Sequence, residues 1–269
     1  MRILKGLVIE TVLLCVFWVM PAHATVDWNE SFEYANDAAF GVVWDHSCLG
    51  NPGISTTRAH SGTKSAKLHY TGQVGVDPGA GGCFMDRPLL GKSDTLYTRF
   101  WVYLDNFVVN GTGTKVTLQG PFFPGRYPSF WWELFNGAAV MSVEVQGIIL
   151  DNGSLDSQRV FGGSTVPQNQ WACVELRATM STPGMDNGIL QVWTNGTQTM
   201  NKTNQRMRAA TLNQLNSPTA QFDGVRLYTQ HGVGDIYYDE YAVSRDARIG
   251  CTGSPAGDIQ APLPPSNLR

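Results

Sequence analysis

Tyr97, Arg99, Trp101 and Tyr103 alternate along one β-rich run, Leu96-Tyr-Thr-Arg-Phe-Trp-Val-Tyr-Leu104, and so fall on one face of a strand. Leu96, Thr98, Phe100, Val102 and Leu104 fall on the other, which suits a core. Two later runs alternate in the same way. In Lys115–Gln119, Val116 and Leu118 leave Lys115, Thr117 and Gln119 opposite. In Met141–Gln146, Met141, Val143 and Val145 leave Ser142, Glu144 and Gln146 opposite. A fourth run, Arg226–His231, puts Arg226, Tyr228 and Gln230 on one face and ends at His231 in a glycine-rich loop. Aromatic plates around cations and amides suit a carbohydrate polymer, because rings stack on apolar sugar faces and a guanidinium pairs with carboxylates or hydroxyls. If the first three strands share a sheet, Arg99, Lys115, Gln119, Glu144 and Gln146 gather around Trp101 and Tyr103 in one groove. Tyr97, Trp101, Glu144, Gln146, Arg226 and Tyr228 are then the candidate glycan-binding residues.

The chemistry open to this set is proton abstraction next to a sugar carboxylate. That reaction needs a group to neutralise the carboxylate, a base for the adjacent proton and an acid for the leaving oxygen. Arg99 and Gln119 are candidates for the first role; Lys115, Tyr103 and His231 are candidates for proton transfer. Hydrolysis by paired carboxylates fits less well. Asn136-Gly137 reads as a two-residue hairpin turn. That turn offsets Glu133 from Glu144 by four residues, roughly 13 Å, whereas glycosidase pairs lie about 5–9.5 Å apart. Glu33 and Asp239, each in an acidic β-rich run, are candidate ligands of a structural Ca2+. No cofactor is required by any of this chemistry.

These residues need a β scaffold, and the sequence supplies one. Gly is abundant (29), and Asn-Gly pairs at 110, 136, 152, 187 and 195 separate short β-rich runs. The pattern predicts an all-β, two-sheet antiparallel jelly-roll sandwich. The best helix candidate is Met207–Leu215. Residues 1–24 have the form of a cleavable signal peptide: Arg2 and Lys5, an apolar run from Thr11 to Met20, then Ala22-His23-Ala24. The run is too short to span a bilayer. A secreted or periplasmic protein is expected, with no membrane insertion after cleavage. The jelly-roll domain is expected over 25–251. Residues 252–269 read as a Pro/Gly-rich linker or tail, whose end resembles the first strand of a fibronectin type III domain, so a following domain is a candidate partner.

The chain has 19 basic and 22 acidic residues, a formal charge of −3. Loss of Arg2, Lys5 and Glu10 with the leader makes that −4. With no basic run, nucleic acid is a poor partner. Four cysteines remain beyond the leader, and an even number in an exported chain favours disulfides. Of three pairings, Cys48–Cys83 and Cys173–Cys251 are expected: the first pair is close in sequence, and the second closes the last strand onto the body.

Several segments resemble concanavalin A-like jelly rolls, and secreted polysaccharide lyases among them. They are Phe32-Glu33, Ala59–Ala66, Tyr97–Leu104, Trp171-Ala-Cys-Val-Glu-Leu-Arg177, Ser181-Thr-Pro-Gly184, Asp186-Asn-Gly188, Val192-Trp-Thr-Asn-Gly196, and Ile236–Val243 followed by Arg248-Ile-Gly250. The resemblance implies a concanavalin A-like fold over most of residues 27–251. It also implies β-elimination on a uronate-containing glycan, with a Tyr, His or Lys and an Asn, Gln or Arg neutraliser on the concave sheet. Arg99, Lys115 and Gln119 are similar in kind and position. A polysaccharide is the expected partner. Two other readings stand beside the lyase: a non-catalytic glycan-binding module with Trp101 and Tyr103 as plates, and a structural adhesin domain.

Overall fold

The alternation around Phe100 is realised as expected. Leu96, Thr98, Phe100 and Leu104 are fully buried and Val102 nearly so, in a long strand at the middle of one of two sheets. The structure is a computed structural model that describes residues 25–46, 52–72, 83–109, 113–120, 128–135, 139–149, 155–211 and 217–251. The leader, the tail, Cys48 and the Asn-Gly pairs at 110, 136 and 152 lie outside the described residues.

In chain order the elements are β1 (Trp28–Glu30), α1 (Asp37–Val43), β2 (Asp45–His46), β3 (Gly53–Ser55), β4 (Ser65–Thr71), β5 (Cys83–Ser93), β6 (Thr95–Val108) and β7 (Thr114–Gly120). They continue with β8 (Ser129–Phe135), β9 (Val140–Ile149), β10 (Leu155–Val160), β11 (Trp171–Thr179), β12 (Gly188–Thr194), β13 (Thr197–Gln205), β14 (Phe222–Gln230) and β15 (Val233–Ser244). The eight-stranded sheet runs β13-β12-β11-β6-β15-β4-β3, with β1 also on β15; the seven-stranded sheet runs β10-β9-β8-β7-β14-β5-β2. Every strand pair is antiparallel. This is a two-sheet jelly-roll sandwich.

The core lies between the sheets. Phe100, Tyr238 and Tyr241 from the larger sheet meet Val116, Trp132, Val143 and Leu227 from the smaller one. Buried aromatic pairs such as Phe100 stacked on Tyr241, with ring centroids 5.6 Å apart, add directional packing to the burial of apolar area. Asn195-Gly196 makes the expected two-residue hairpin: Thr194 pairs with Thr197, and both turn residues have positive φ (49° and 82°).

The helix expected over Met207–Leu215 does not form in its described part, and residues 212–215 lie outside the described residues. Residues 207–211 are irregular, and the backbone N–H groups of Met207 and Arg208 donate to Ser181 Oγ instead of to a helical carbonyl. The one helix among the described residues is α1, where Asn36 caps the N-terminus by accepting from Ala39 N at 2.9 Å. Its single buried residue is Phe40, so it carries no periodic stripe that sequence reading could detect.

Cys173 and Cys251 are disulfide-bonded, Cα atoms 5.9 Å apart. The bond fastens the segment after β15 to β11. Glu175 reinforces it by accepting from Arg248 Nε (2.9 Å), Ile249 N (2.5 Å) and Gly250 N (3.2 Å). Cys83 is also disulfide-bonded.

Candidate active site

The outer face of the seven-stranded sheet carries a ring of four charges. Lys115 comes from β7, Glu133 from β8, Glu144 from β9 and Arg159 from β10, four strands adjacent in that order. Lys115 is paired across the ladder with Glu133, and Glu144 with Arg159. Lys115 Nζ lies 3.1 Å from Glu133 Oε2 and also contacts Glu144 Oε2. Arg159 Nε contacts Glu133 Oε1, and its Nη2 is 3.6 Å from Glu144 Oε2. Each cation therefore touches both carboxylates. Glu133 is fully buried, whereas Glu144 keeps 18% of its side chain exposed and Arg159 29%.

Neighbouring groups extend the face. Trp131 Nε1 donates to Gln146 Oε1 (2.9 Å), and Gln146 Nε2 donates to Glu144 Oε1 (3.2 Å). Tyr228 packs edge-on to Trp131, ring centroids 5.2 Å apart. Further along β14, Arg226 Nη2 bonds Asp86 Oδ2 at 2.7 Å, and its guanidinium lies 4.0 Å from the centroid of Phe84.

His231 follows β14 in a turn where His231 (φ 57°) and Gly232 (φ 107°) both take left-handed backbone. A Cβ at Gly232 would meet Phe107 Cζ at 2.6 Å and Thr114 Oγ1 at 2.8 Å. Only glycine fits there, and this close approach brings His231 beside the start of β7. His231 Nδ1 is buried without a hydrogen-bond partner among the described residues. Burial, then the charge of Lys115, lower the imidazole pKa below its ordinary value, and Glu133 and Glu144 offset this only in part. The ring is therefore neutral at neutral pH. Burial alone would raise the Glu144 carboxyl, but the hydrogen bond and charge of Lys115 outweigh it and hold the group ionised.

The single groove expected from alternation does not form. β6 belongs to the larger sheet and β7, β8 and β9 to the smaller one, so Arg99, Tyr97, Trp101 and Tyr103 lie on the opposite outside of the sandwich from Lys115, Glu144 and Gln146. Gln119 is also displaced. The β7–β8 register shifts between Lys115 and Thr117, and this bulge turns the following side chains over. Thr117 and Gln119 consequently face the core. Gln119 Nε2 donates to Thr98 Oγ1 (2.6 Å), and Gln119 Oε1 accepts from Trp132 Nε1 (3.0 Å).

The β6 face is covered. His60 stacks on Trp101 with centroids 3.6 Å apart and planes 13° apart, Arg58 sits 4.2 Å over the Tyr103 ring, and Arg177 lies 5.2 Å over Tyr97. Arg99 is 1% exposed and bonds Glu240 Oε2 at 3.2 Å. These rings are therefore not open stacking plates, and Arg99 is not placed to meet a polymer.

Glu33 and Asp239 do converge on one loop, at its two ends. Glu33 accepts from Thr63 N (2.7 Å), Thr63 Oγ1 (2.8 Å) and Lys64 N (2.8 Å). Asp239 accepts from His60 N (2.7 Å) and Ser61 N (3.0 Å). Both carboxylates are turned to N–H donors, the opposite polarity to the oxygen cage that Ca2+ takes. Among the described residues, no group of three or more His, Cys, Asp or Glu side chains is gathered to hold a metal ion.

Three contributors escaped the sequence reading. Arg159 sits in a run with no aromatic or catalytic signature, and only the β9–β10 pairing brings it to Glu144. Trp131 precedes Glu133 by two residues on β8, and only the β8–β9 pairing brings it to Glu144. Glu133 was set aside because the expected turn placed it four residues from Glu144. The actual β8–β9 register pairs Glu133 with Ser142 and Trp131 with Glu144, an offset of two residues, about 7 Å. The distance argument against a carboxylate pair therefore fails. The electrostatic one replaces it: hydrolysis needs one protonated acid, yet both carboxylates are bonded to two cations.

No family profile and no curated protein matches the sequence. Among solved structures, the chain is similar to an endo-β-1,4-glucuronan lyase from the fungus Trichoderma reesei (15% identity, covering 82% of this chain and 95% of that one, TM-score 0.58). It is similar also to a PL-14 alginate lyase from Aplysia kurodai (18%, 82% and 100%, TM-score 0.58) and to the cellulose induced protein Cip1 (17%, 83% and 99%, TM-score 0.53). The chain thus has the two-sheet jelly-roll fold shared with these proteins, two of which are polysaccharide lyases.

Proposed function

We propose that the chain is a secreted polysaccharide lyase that cleaves a uronate-containing glycan by β-elimination on the outer face of the seven-stranded sheet. The observation that carries this reading is the pair of cations Lys115 and Arg159 within electrostatic reach of His231, whose Nδ1 finds no hydrogen-bond partner among the described residues. The two cations take the uronate carboxylate and so acidify the proton on the adjacent ring carbon. His231 removes that proton, the electron pair forms the new C=C bond, and the glycosidic C–O bond breaks. The imidazolium then gives the proton to the leaving oxygen, so no water is consumed. Trp131, half-buried on this face, supplies apolar surface for a neighbouring sugar, and the buried Tyr228 packs against it as support. The disulfide Cys173–Cys251 accords with an oxidising compartment. The fold shared with a glucuronan lyase and an alginate lyase supports the choice of polymer class.

The test is to incubate the protein with alginate, glucuronan and pectate and to follow the ultraviolet absorbance of a C=C bond conjugated to a carboxylate. A rise that Lys115→Met and His231→Asn abolish supports the lyase. Retention on one of these polymers with no absorbance change identifies a binding module instead.

A further inference from the structure

The charge ring poses a problem for any anionic ligand. Lys115 and Arg159 are each already paired, and with Glu133 and Glu144 the four side chains sum to zero. The two carboxylates are not equivalent. Glu133 is fully buried, is gripped by both cations, has Ser142 Oγ at 3.4 Å and is backed by Gly113, whose missing Cβ makes room for its carboxylate. Glu144 is the outward member, and among the described residues its hydrogen-bond partner apart from the two cations is Gln146 Nε2 at 3.2 Å. Its Oε2 is the atom that both Lys115 Nζ and Arg159 Nη2 approach. That is the bridging geometry a uronate carboxylate would adopt.

We infer that Glu144 is an internal stand-in for the substrate carboxylate: it occupies the Lys115–Arg159 bridge in the free protein and is displaced when an acidic sugar binds. Glu133 remains as the fixed counter-ion that keeps Lys115 and Arg159 in place. The inference rests on the lyase reading and adds a specificity device to it. A neutral sugar brings no charge to replace Glu144 and leaves the bridge closed. A uronate exchanges one carboxylate for another, so the buried cations are never left bare, which would be costly. Apparent affinity is the intrinsic affinity scaled by the fraction of molecules in which Glu144 has swung away.

The experiment is calorimetric titration of the wild type, Glu144→Gln and Glu144→Ala with oligomannuronate, oligoguluronate and oligoglucuronate, and with cello-oligosaccharide as the neutral probe. Elimination is measured on the same samples, and the melting temperature checks the fold. Removing the internal carboxylate should tighten binding of the preferred oligouronate about tenfold and leave the neutral probe unbound. Binding that appears only in the variants supports the inference equally. If the wild type binds and cleaves an oligouronate but both variants bind it equally well or more weakly, Glu144 contacts the substrate directly and the stand-in role is overturned while the lyase reading survives. If no oligouronate binds to any of the three proteins, both fall.

Discussion

Lys115 Nζ and Glu133 Oε2 lie 3.1 Å apart on residues paired directly across β7 and β8, one side chain 6% exposed and the other fully buried. Removing either partner unbalances the buried ring by one charge, although the survivor keeps its second contact, Lys115 with Glu144 or Glu133 with Arg159. Glu133→Ala should cost somewhat less than the about 3–5 kcal/mol of breaking an isolated buried pair, because Glu144 still meets both cations, and the loss is read as a lower urea midpoint. Joint replacement, Lys115→Met with Glu133→Leu, should recover much of that stability but none of the activity, because apolar groups satisfy the space without supplying the cation.

Gly113 faces that same carboxylate with φ at +95°, and an added Cβ would collide with Glu133. Gly113→Ala should therefore strain the backbone and push Glu133 off Lys115, at about 1–3 kcal/mol. Thermal melting would show the loss. Gly196→Ala is the control: its φ is also positive, at 82°, but nothing lies within 4 Å, so the strain should appear there without the activity defect.

In the proposed lyase, the His231 pKa sets the acid side of the activity profile. Because it lies below the usual value, the free imidazole proposed as base persists at neutral pH and is lost only as pH falls through that lowered value. Elimination should decline in that range. His231→Asn should lower the rate by about 10²–10⁴ and remove the decline. The same shift costs stability on the acid side, since the unfolded chain takes up this proton more readily than the folded one.

Asp239 behaves in the opposite sense. Burial pushes its carboxyl up to about 6, against three backbone N–H donors that favour the charge. The folded chain then holds a proton that the unfolded chain releases near 3.8. This contribution to stability is complete below that value and disappears as pH rises through about 6. Asp239→Asn should flatten that slope in a series of melting curves, and an unchanged slope would show that Asp239 is not its source.

The Cys173–Cys251 bond closes a segment of 78 residues. A closed loop of that length constrains the unfolded chain by about 4 kcal/mol. Cys251→Ser should lower the denaturation midpoint accordingly and loosen the Glu175 anchor at Ile249.

Some of this was legible in one dimension. Leu96, Phe100 and Leu104 announced a core face, because side chains alternate along a strand whatever it packs against. Asn195-Gly196 announced a two-residue turn, because few residues tolerate left-handed backbone. Cys173 and Cys251 were matched on chain order alone. Lys115, Glu144, Gln146 and His231 were picked as residue types suited to acidic sugars, and the structure gathers them on one face.

Arg99 and Gln119 show where alternation stops being informative. Period-two reasoning orients a side chain relative to its own strand but does not say which sheet the strand joins, and it fails across a bulge. Sheet membership depends on hydrogen bonds between distant segments, which put β6 between β11 and β15 and put β7 between β8 and β14. One extra residue at Val116 then turned Gln119 into the core. The sequence by itself determined a two-sheet β protein, its core faces and the stock of charged and aromatic side chains. Only the tertiary structure decided that Lys115, Glu133, Glu144 and Arg159 close into one ring, because cross-strand register is set by packing between sheets and not by any local signal.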